Sequence, residues 1–287
     1  MGVDLQAIRL LTEYRKKKAL GTVLMLGRQG LSLSEGDIKT AVDDYGISRA
    51  LLDTEWSENL LIQHFGAITV DSLDISKFEG ASLTYDLNMP IEDPPSFDTV
   101  IDFGTTEHIF DVKTVYRNIR NLCKLDGGIL HILPSNNLSG HGFYQFSPMF
   151  FRSVYDNKSG FQLSNIFLSK ILTDKGWLEV NLIAPTDRFV FHNQAPTTVL
   201  VISIRASNRE LGAIQQPDYQ NRWDGSKDCG VNKSTNVFLR NIKTILIERK
   251  FKKTFLILER IYRKYNKYYG YSIRLEKSPY VKKKNDI

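Results

Sequence analysis

The chain has 287 residues, 42% of them hydrophobic, enough for a buried core without disulfide or metal staples. Its two cysteines, Cys123 and Cys229, lie far apart with no Cys-x-x-Cys or Cys/His cluster, which excludes a disulfide framework or zinc finger and fits a reducing cytoplasm. The net charge of +6 is uneven: residues 240–287 hold 15 Lys+Arg against 4 Asp+Glu, a net of +11, so residues 1–239 carry −5 and the basicity does not describe the main domain.

The first residues place their charges after an apolar stretch, the reverse of a secretory signal, so no signal peptide is expected. No apolar run is long enough to span a bilayer. Residues 22–26 (TVLML) form a continuous apolar run ending at Gly27, which predicts a buried strand. A helix is predicted from Ser34 to about Tyr45, and another over 57–65 (SENLLIQHF), capped by Ser57 and stopped by Gly66. Leu60, Leu61 and His64 share one face of that second helix. Strands follow at 68–73, 82–85 and 97–103. An amphipathic helix is predicted over 111–123, with Val112, Val115, Ile119 and Leu122 on one face. Asp126-Gly127-Gly128 reads as a turn into a fifth strand at 129–133. A helix at 147–155 precedes strands at 161–168, 177–183 and 197–204, the last two read as an antiparallel pair.

Strands alternating with helices at short intervals mean βαβ units, a mostly parallel sheet and helices on both faces. The predicted organisation is an α/β domain over residues 1–207, a polar linker at 208–236 and a basic helical extension at 237–287, its helix over 237–269. In such sheets ligands bind beyond the carboxyl ends of the strands. Those ends hold Gly27-Arg28-Gln29-Gly30, Asp74, Asp86-Leu87-Asn88, Asp102 with Gly104 and Glu107-His108, and then His141 with Phe143, Tyr144 and Phe146. Glycines there let backbone approach a ligand closely. An acid after the second strand can accept from both ribose hydroxyls of an adenosine, and Asp86 can accept from an exocyclic amine. Asp71, inside the second strand, is an alternative ribose acceptor. The plain alternatives are turns, caps and core packing. His64 and His131 read as packed structural residues.

At these residues the sequence resembles the class I S-adenosylmethionine-dependent methyltransferases, over about residues 22–207. Five pieces match in order and spacing: TVLMLGRQG, ITVDSLDIS, LTYDLNMPI, FDTVIDFGTTEHIFD and YRNIRNLCKLDGGILHILP. The resemblance implies a Rossmann-like seven-stranded sheet with an antiparallel terminal hairpin, and S-adenosylmethionine as cofactor. It implies that Gly27 and Gly30 face the methionine part, that Asp74 holds the ribose, and that Asp86 with the Leu87 backbone holds the adenine. Asp102, Phe103 and Gly104 would line the cofactor beside the sulfonium. The glycine motif departs from the family pattern, which usually has an acid and a Gly-x-Gly-x-Gly run: here it reads LGRQG, with the middle glycine replaced and Arg28 present instead. Arg28 can pair with the cofactor carboxylate in a bidentate fork, point to solvent or brace the loop.

The activity implied is methyl transfer to a hydroxyl of a sugar, a surface-glycan precursor such as a nucleotide-sugar, or another small metabolite. A histidine suits removal of the hydroxyl proton, which points to His141 first, then His108, with Glu107 orienting either or acting itself. Asp102, Glu107, His108 and His141 could hold magnesium, but no spacing requires it and no metal is expected. Competing readings are a carboxylate or amine acceptor, a degenerate binding or scaffold protein, and RNA methylation anchored by the basic tail. The tail is read as a helix docked on the domain or resting on an anionic membrane face rather than as a nucleic-acid module.

Overall fold

The computed structural model describes residues 2–171, 176–180, 193–216 and 281–283. Among these, nine strands form one sheet: β1 (Thr22–Leu26), β2 (Thr69–Asp74), β3 (Leu83–Thr84), β4 (Phe97–Asp102), β5 (Cys123–Asn136), β6 (Phe161–Lys170), β7 (Leu178–Val180), β8 (Thr197–Arg205) and β9 (Val281–Lys283). Their order is β3-β2-β1-β4-β5-β8-β6-β7-β9. The first five are parallel and the rest are joined antiparallel. Leu24, Leu26, Val100, Ile101, Ile129 and Leu130 are almost wholly buried, as strands covered on both faces require.

Six helices cover the sheet: α1 (Leu5–Arg15), α2 (Glu35–Tyr45), α3 (Arg49–Leu52), α4 (Glu58–Gln63), α5 (Val112–Leu122) and α6 (Pro148–Val154). One apolar cluster joins Ile8, Leu11, Ile38, Leu52 and Leu61 to Val23, Met25 and Ile101. A second joins Val115, Ile119, Phe151 and Val154 to Leu24, Leu26 and Val100. Alternate residues of β1 and β4 thus feed cores on opposite faces, as the period of two demands. Fully burying each large apolar side chain stabilises the fold by roughly 1.5–3 kcal/mol.

The structure revises several expectations. The sheet has nine strands rather than seven, because the short β7 and β9 extend the edge beyond β6. The strand at 197–204 does not pair with the one at 177–183. It lies between β5 and β6, bonded along its length to both, and β7 meets only Phe167 and Leu168 of β6. An apolar strand with seven successive buried residues belongs inside a sheet, where two neighbours satisfy both its edges. Asp126-Gly127-Gly128 lies within β5 as a register shift, with Asp126 at φ 61°. Ser57 stands at the start of α4 but donates toward Met25 Sδ instead of capping the helix. Ser34 and Asp111 cap α2 and α5, Ser34 in a reciprocal capping box with Asp37.

Sequence reading assigned no element to α1. Asp4 caps it by accepting from the Ala7 N–H at 2.9 Å, and Ala7, Ile8, Leu10, Leu11 and Tyr14 are fully buried. Tyr14 Oη reaches Thr99 Oγ1 at 3.2 Å, and a β-carbon on Gly128 would sit 2.1 Å from that oxygen. Residues 208–216 form neither helix nor strand; the carbonyls of Asn208 and Arg209 accept from Arg120 and Leu211 is buried in the second core cluster, while the rest of the expected linker lies outside the described residues. The helix expected over 237–269 lies outside the described residues. Among the described residues no helix is long and apolar enough to cross a membrane.

Candidate active site

Parallel register brings the strand ends level. Leu26 pairs with Leu73 on one side and Asp102 on the other, and Asp102 pairs with His131. The chain order reverses between β1 and β4, so the connections leaving these two strands part to opposite faces and open a crevice at their tips.

Gly27 turns the chain at the tip of β1 with φ 67° and donates its N–H to Leu73 O at 2.8 Å. A β-carbon there would also lie 2.8 Å from Thr105 Oγ1. Thr105 donates to Leu26 O at 2.6 Å, and the buried Gln29 amide donates to Leu26 O at 2.8 Å and Gly27 O at 3.2 Å. Thr105 was not picked out from the sequence; a side chain reaching a carbonyl 79 positions away leaves no local signature. Gly30 accepts from the Val3 N–H and bridges antiparallel to Trp56, so residues 31–55 leave and return at one point. Arg28 is held by its own chain. Its Nε meets Glu58 Oε1 at 2.6 Å, its Nη1 donates to Glu79 O at 2.9 Å, and its guanidinium lies 4.4 Å from the Trp56 ring centre. These contacts brace the loop that carries it.

Asp74 ends β2, half-buried, with Oδ1 accepting from the Ile75 N–H at 2.6 Å. Asp86 is exposed past β3; backbone and side-chain donors from Asn88 hold its carboxyl below the usual range. The Leu87 side chain is buried and its carbonyl accepts from Asn118 on α5. Asn118 also bonds Met89 O and the Ile91 N–H, fixing this loop; the sequence did not single it out. Asp71 is occupied by Ser82 Oγ at 2.9 Å.

At the tip of β4, Asp102 and Phe103 are buried and Gly104, at φ 102°, is partly open. Asp102 Oδ1 accepts from the N–H groups of Thr105 and Thr106, and Oδ2 accepts from Thr106 Oγ1 at 2.7 Å. His131 Nδ1 lies 2.7 Å from Oδ2 and its Nε2 lies 2.6 Å from Tyr155 Oη. One tautomer satisfies all of them: Nδ1–H donates to Asp102 and the tyrosine O–H donates to Nε2. The carboxylate that the resemblance puts along the cofactor is thus turned inward and spent on the frame.

Beyond it, a single turn of 3₁₀ helix (Thr106–His108) presents Glu107 and His108. The Glu107 carbonyl accepts from the N–H groups of Phe143 at 2.8 Å and Tyr144 at 3.3 Å, tying the loop after β5 to this turn. Gly142 permits the approach, since a β-carbon there would lie 2.8 Å from that carbonyl oxygen. His141 is thereby brought beside His108, their ring centres 5.5 Å apart. Glu107 Oε1 lies 3.5 Å from His141 Nε2 and 3.8 Å from His108 Nε2. The Glu107 side chain is fully buried while those of the histidines are 35% and 48% exposed. Neither Glu107 oxygen has a hydrogen-bond partner among the described residues. Burial, with the Asp102 charge second, pushes its carboxyl up to about 8. Burial, and then the charge on His141, lowers His108. Phe110 and Phe143 stand exposed at this rim, edge to face at 5.9 Å, while Tyr144 donates to Phe110 O and Phe146 is core. The three residues proposed from sequence for acid–base work therefore meet in space.

No family model matches the chain and no curated protein matches it. Solved structures resemble it. The N-methyltransferase NodS of Bradyrhizobium japonicum, in complex with S-adenosyl-l-homocysteine, is 8% identical with a TM-score of 0.39, over 70% of this chain and 85% of that one. A TehB-like SAM-dependent methyltransferase of Corynebacterium glutamicum is 16% identical with a TM-score of 0.37, over 69% and 86%. The YcgJ protein of Bacillus subtilis is 10% identical with a TM-score of 0.40, over 70% and 100%.

Proposed function

We propose that this chain is an S-adenosylmethionine-dependent methyltransferase acting on a hydroxyl of a small acceptor, a sugar or surface-glycan precursor. One observation carries the reading: the Gly27 turn, bonded to the end of β2, and the acids Asp74 and Asp86 stand on one side of the strand-order reversal, with Glu107, His108 and His141 on the other. The residues suit the cofactor. An adenosyl group presents hydroxyl and amine donors, and two carboxylates await them at successive strand tips.

When bound, the cofactor supplies a methyl group already activated by its sulfonium. Gly27 and Gly30 offer backbone to its methionine part, Asp74 holds the ribose, and Asp86 with Leu87 holds the adenine. Gly104 is the open member of the Asp102-Phe103-Gly104 run toward the sulfonium. Arg28 keeps the glycine turn in place through Glu58 and Trp56. The acceptor sits at the rim marked by Phe110 and Phe143, and its proton is removed by the Glu107–His108–His141 group, His141 being nearest to Glu107. Positioning supplies much of the rate in such a displacement.

A second reading, a degenerate domain that binds without catalysing, is favoured by Arg28 in the glycine turn and by the inward Asp102. Calorimetry tests whether the cofactor binds, and a product assay separates the two readings. Wild-type protein is expected to bind S-adenosylmethionine and Asp74→Ala to bind about 10- to 100-fold more weakly, since a charged hydrogen bond contributes roughly 1.5–3 kcal/mol. Absence of binding by the wild type at millimolar cofactor overturns the proposal. Binding without product across sugars, nucleotide-sugars, carboxylates, amines and RNA supports the scaffold.

A further inference from the structure

We infer that Glu107, His108 and His141 form a binding site for one divalent first-row transition ion, of which zinc is the probe. One donor atom from each residue lies within 4.8 Å of the other two. A tetrahedral shell with bonds near 2.0–2.1 Å has edges of about 3.3 Å. The two carboxylate edges, at 3.5 and 3.8 Å, need to contract by about 0.2 and 0.5 Å to reach it, and the edge between the imidazoles, within 4.8 Å, by up to about 1.5 Å.

The buried carboxylate is the independent observation. A fully buried Glu whose oxygens have no hydrogen-bond donor among the described residues is costly as an anion. The neighbours that face those oxygens are imidazole nitrogens, and no Lys or Arg pairs with them among the described residues. An ion held by all three residues supplies the partner that the buried carboxylate lacks among the described residues. Two nitrogen ligands and one carboxylate suit zinc or iron and not magnesium or calcium, which take oxygen shells. Three protein ligands leave a coordination position open, the pattern of catalytic rather than structural zinc. The side chains of His141 and His108 are 35% and 48% exposed, so solvent reaches the group. Support for the ligands is in place, because the Glu107 carbonyl grips the loop that carries His141.

Asp102, counted from sequence among candidate ligands, is not one: its oxygens serve Thr105, Thr106 and His131. The expectation of no metal rested on spacing alone, and spacing cannot show two loops stitched together. Binding of the ion stands without the methyltransferase reading; only its use rests on that reading. An acceptor hydroxyl at the open position would be polarised and acidified. With all three side chains on the ion none of them serves as the base: the proton would pass to water as the C–O bond forms, and the C–S bond would break with its electron pair going to sulfur.

The test uses the untagged full-length chain loaded with zinc, dialysed, and assayed for metal by mass spectrometry. About one zinc per chain is expected in the wild type, and a loss of tenfold or more in a His108→Ala/His141→Ala double variant that keeps its near-ultraviolet circular dichroism. Equal zinc in both proteins, or none in the wild type, overturns the site. Cobalt(II) titration of the wild type needs no variant. Visible d–d bands without thiolate charge transfer are expected, and a strong thiolate band places the ion on cysteine and overturns the proposal. Calorimetry with S-adenosylmethionine on the same samples reports on the cofactor separately, so failure of one reading does not mimic failure of the other.

Discussion

The two ends of β4 carry carboxylates with opposite surroundings. Near its start, Asp98 accepts from the Thr22 N–H at 2.9 Å, Thr22 Oγ1 at 2.8 Å and Lys124 Nζ at 3.0 Å. The backbone donor leads in holding its carboxyl down to about 2, against its partial burial. Just past the other end, Glu107 is more deeply buried, has no such donor among the described residues, and is pushed up to about 8. The first arrangement stabilises the sheet. The second costs stability, and a fold tolerates that cost where chemistry needs the group. Between them Asp102 is buried yet satisfied, so burial alone does not separate frame from site; the hydrogen-bond inventory does.

The contrast breaks most visibly at Asp102. If it belongs to the frame, Asp102→Ala destabilises by roughly 3–5 kcal/mol, because the buried donors of His131 and Thr106 and the N–H of Thr105 lose their acceptor. Thermal unfolding would then fall by roughly 10 °C. An unchanged melting temperature with lost activity would move Asp102 to the functional end. His141→Ala is expected to cut methyl transfer by about a hundredfold or more while melting within a few degrees of wild type. Near-normal turnover would take His141 out of the mechanism.

The remaining pair sharpens the contrast through pH. Glu107 has a folded value raised from 4.5 to about 8, so in chelator-treated protein the native state holds a proton that the unfolded chain has released. Stability contributed by the protonated form is therefore lost as pH rises from 4.5 through 8. Glu107→Gln removes that slope and is expected to be more stable than wild type by about 2 kcal/mol at alkaline pH, the gap closing toward acid. Asp98 has the opposite sign. Its contribution is present above 3.8 and lost as pH falls through about 2. Asp98→Asn should cost about 1 kcal/mol near neutrality, a modest figure because the carboxylate is 35% exposed, and nothing in strong acid. Urea unfolding across pH measures both; parallel slopes for the two variants would erase the distinction.

What could be read from the sequence follows the range of the forces involved. The run at Thr22–Leu26 and the stripe of α5 declared themselves, because a buried strand and an amphipathic helix are written in neighbouring residues. Gly27, Asp74, Asp86 and Glu107 were found because strand tips are local features whose use a general rule supplies. The α1 pattern is equally local, an Asp4 cap followed by Ala7, Ile8 and Leu11 at helical spacing, although no helix was expected there. Insertion of β8 between β5 and β6 was hidden, since it depends on which distant edge each strand finds. The inward Asp102 and the meeting of Glu107 with His141 were hidden for the same reason: register and a glycine-permitted loop contact set them, not spacing along the chain.

The bridge between Gly30 and Trp56, reinforced by bonds from Leu31 to Glu55 and from Ser57 to Gln29, closes the neck of residues 31–55. A neck sealed in backbone makes what lies beyond it a graftable cassette. Its length can drift, at roughly 0.6 kcal/mol per doubling for a flexible loop, without disturbing the turn at Gly27. The condition is that replacements for Ile38, Ala41, Ile47 and Leu52 still fill their places in the core. Diversity among related chains is therefore expected to gather in this stretch, leaving the residues on either side of the neck in fixed register.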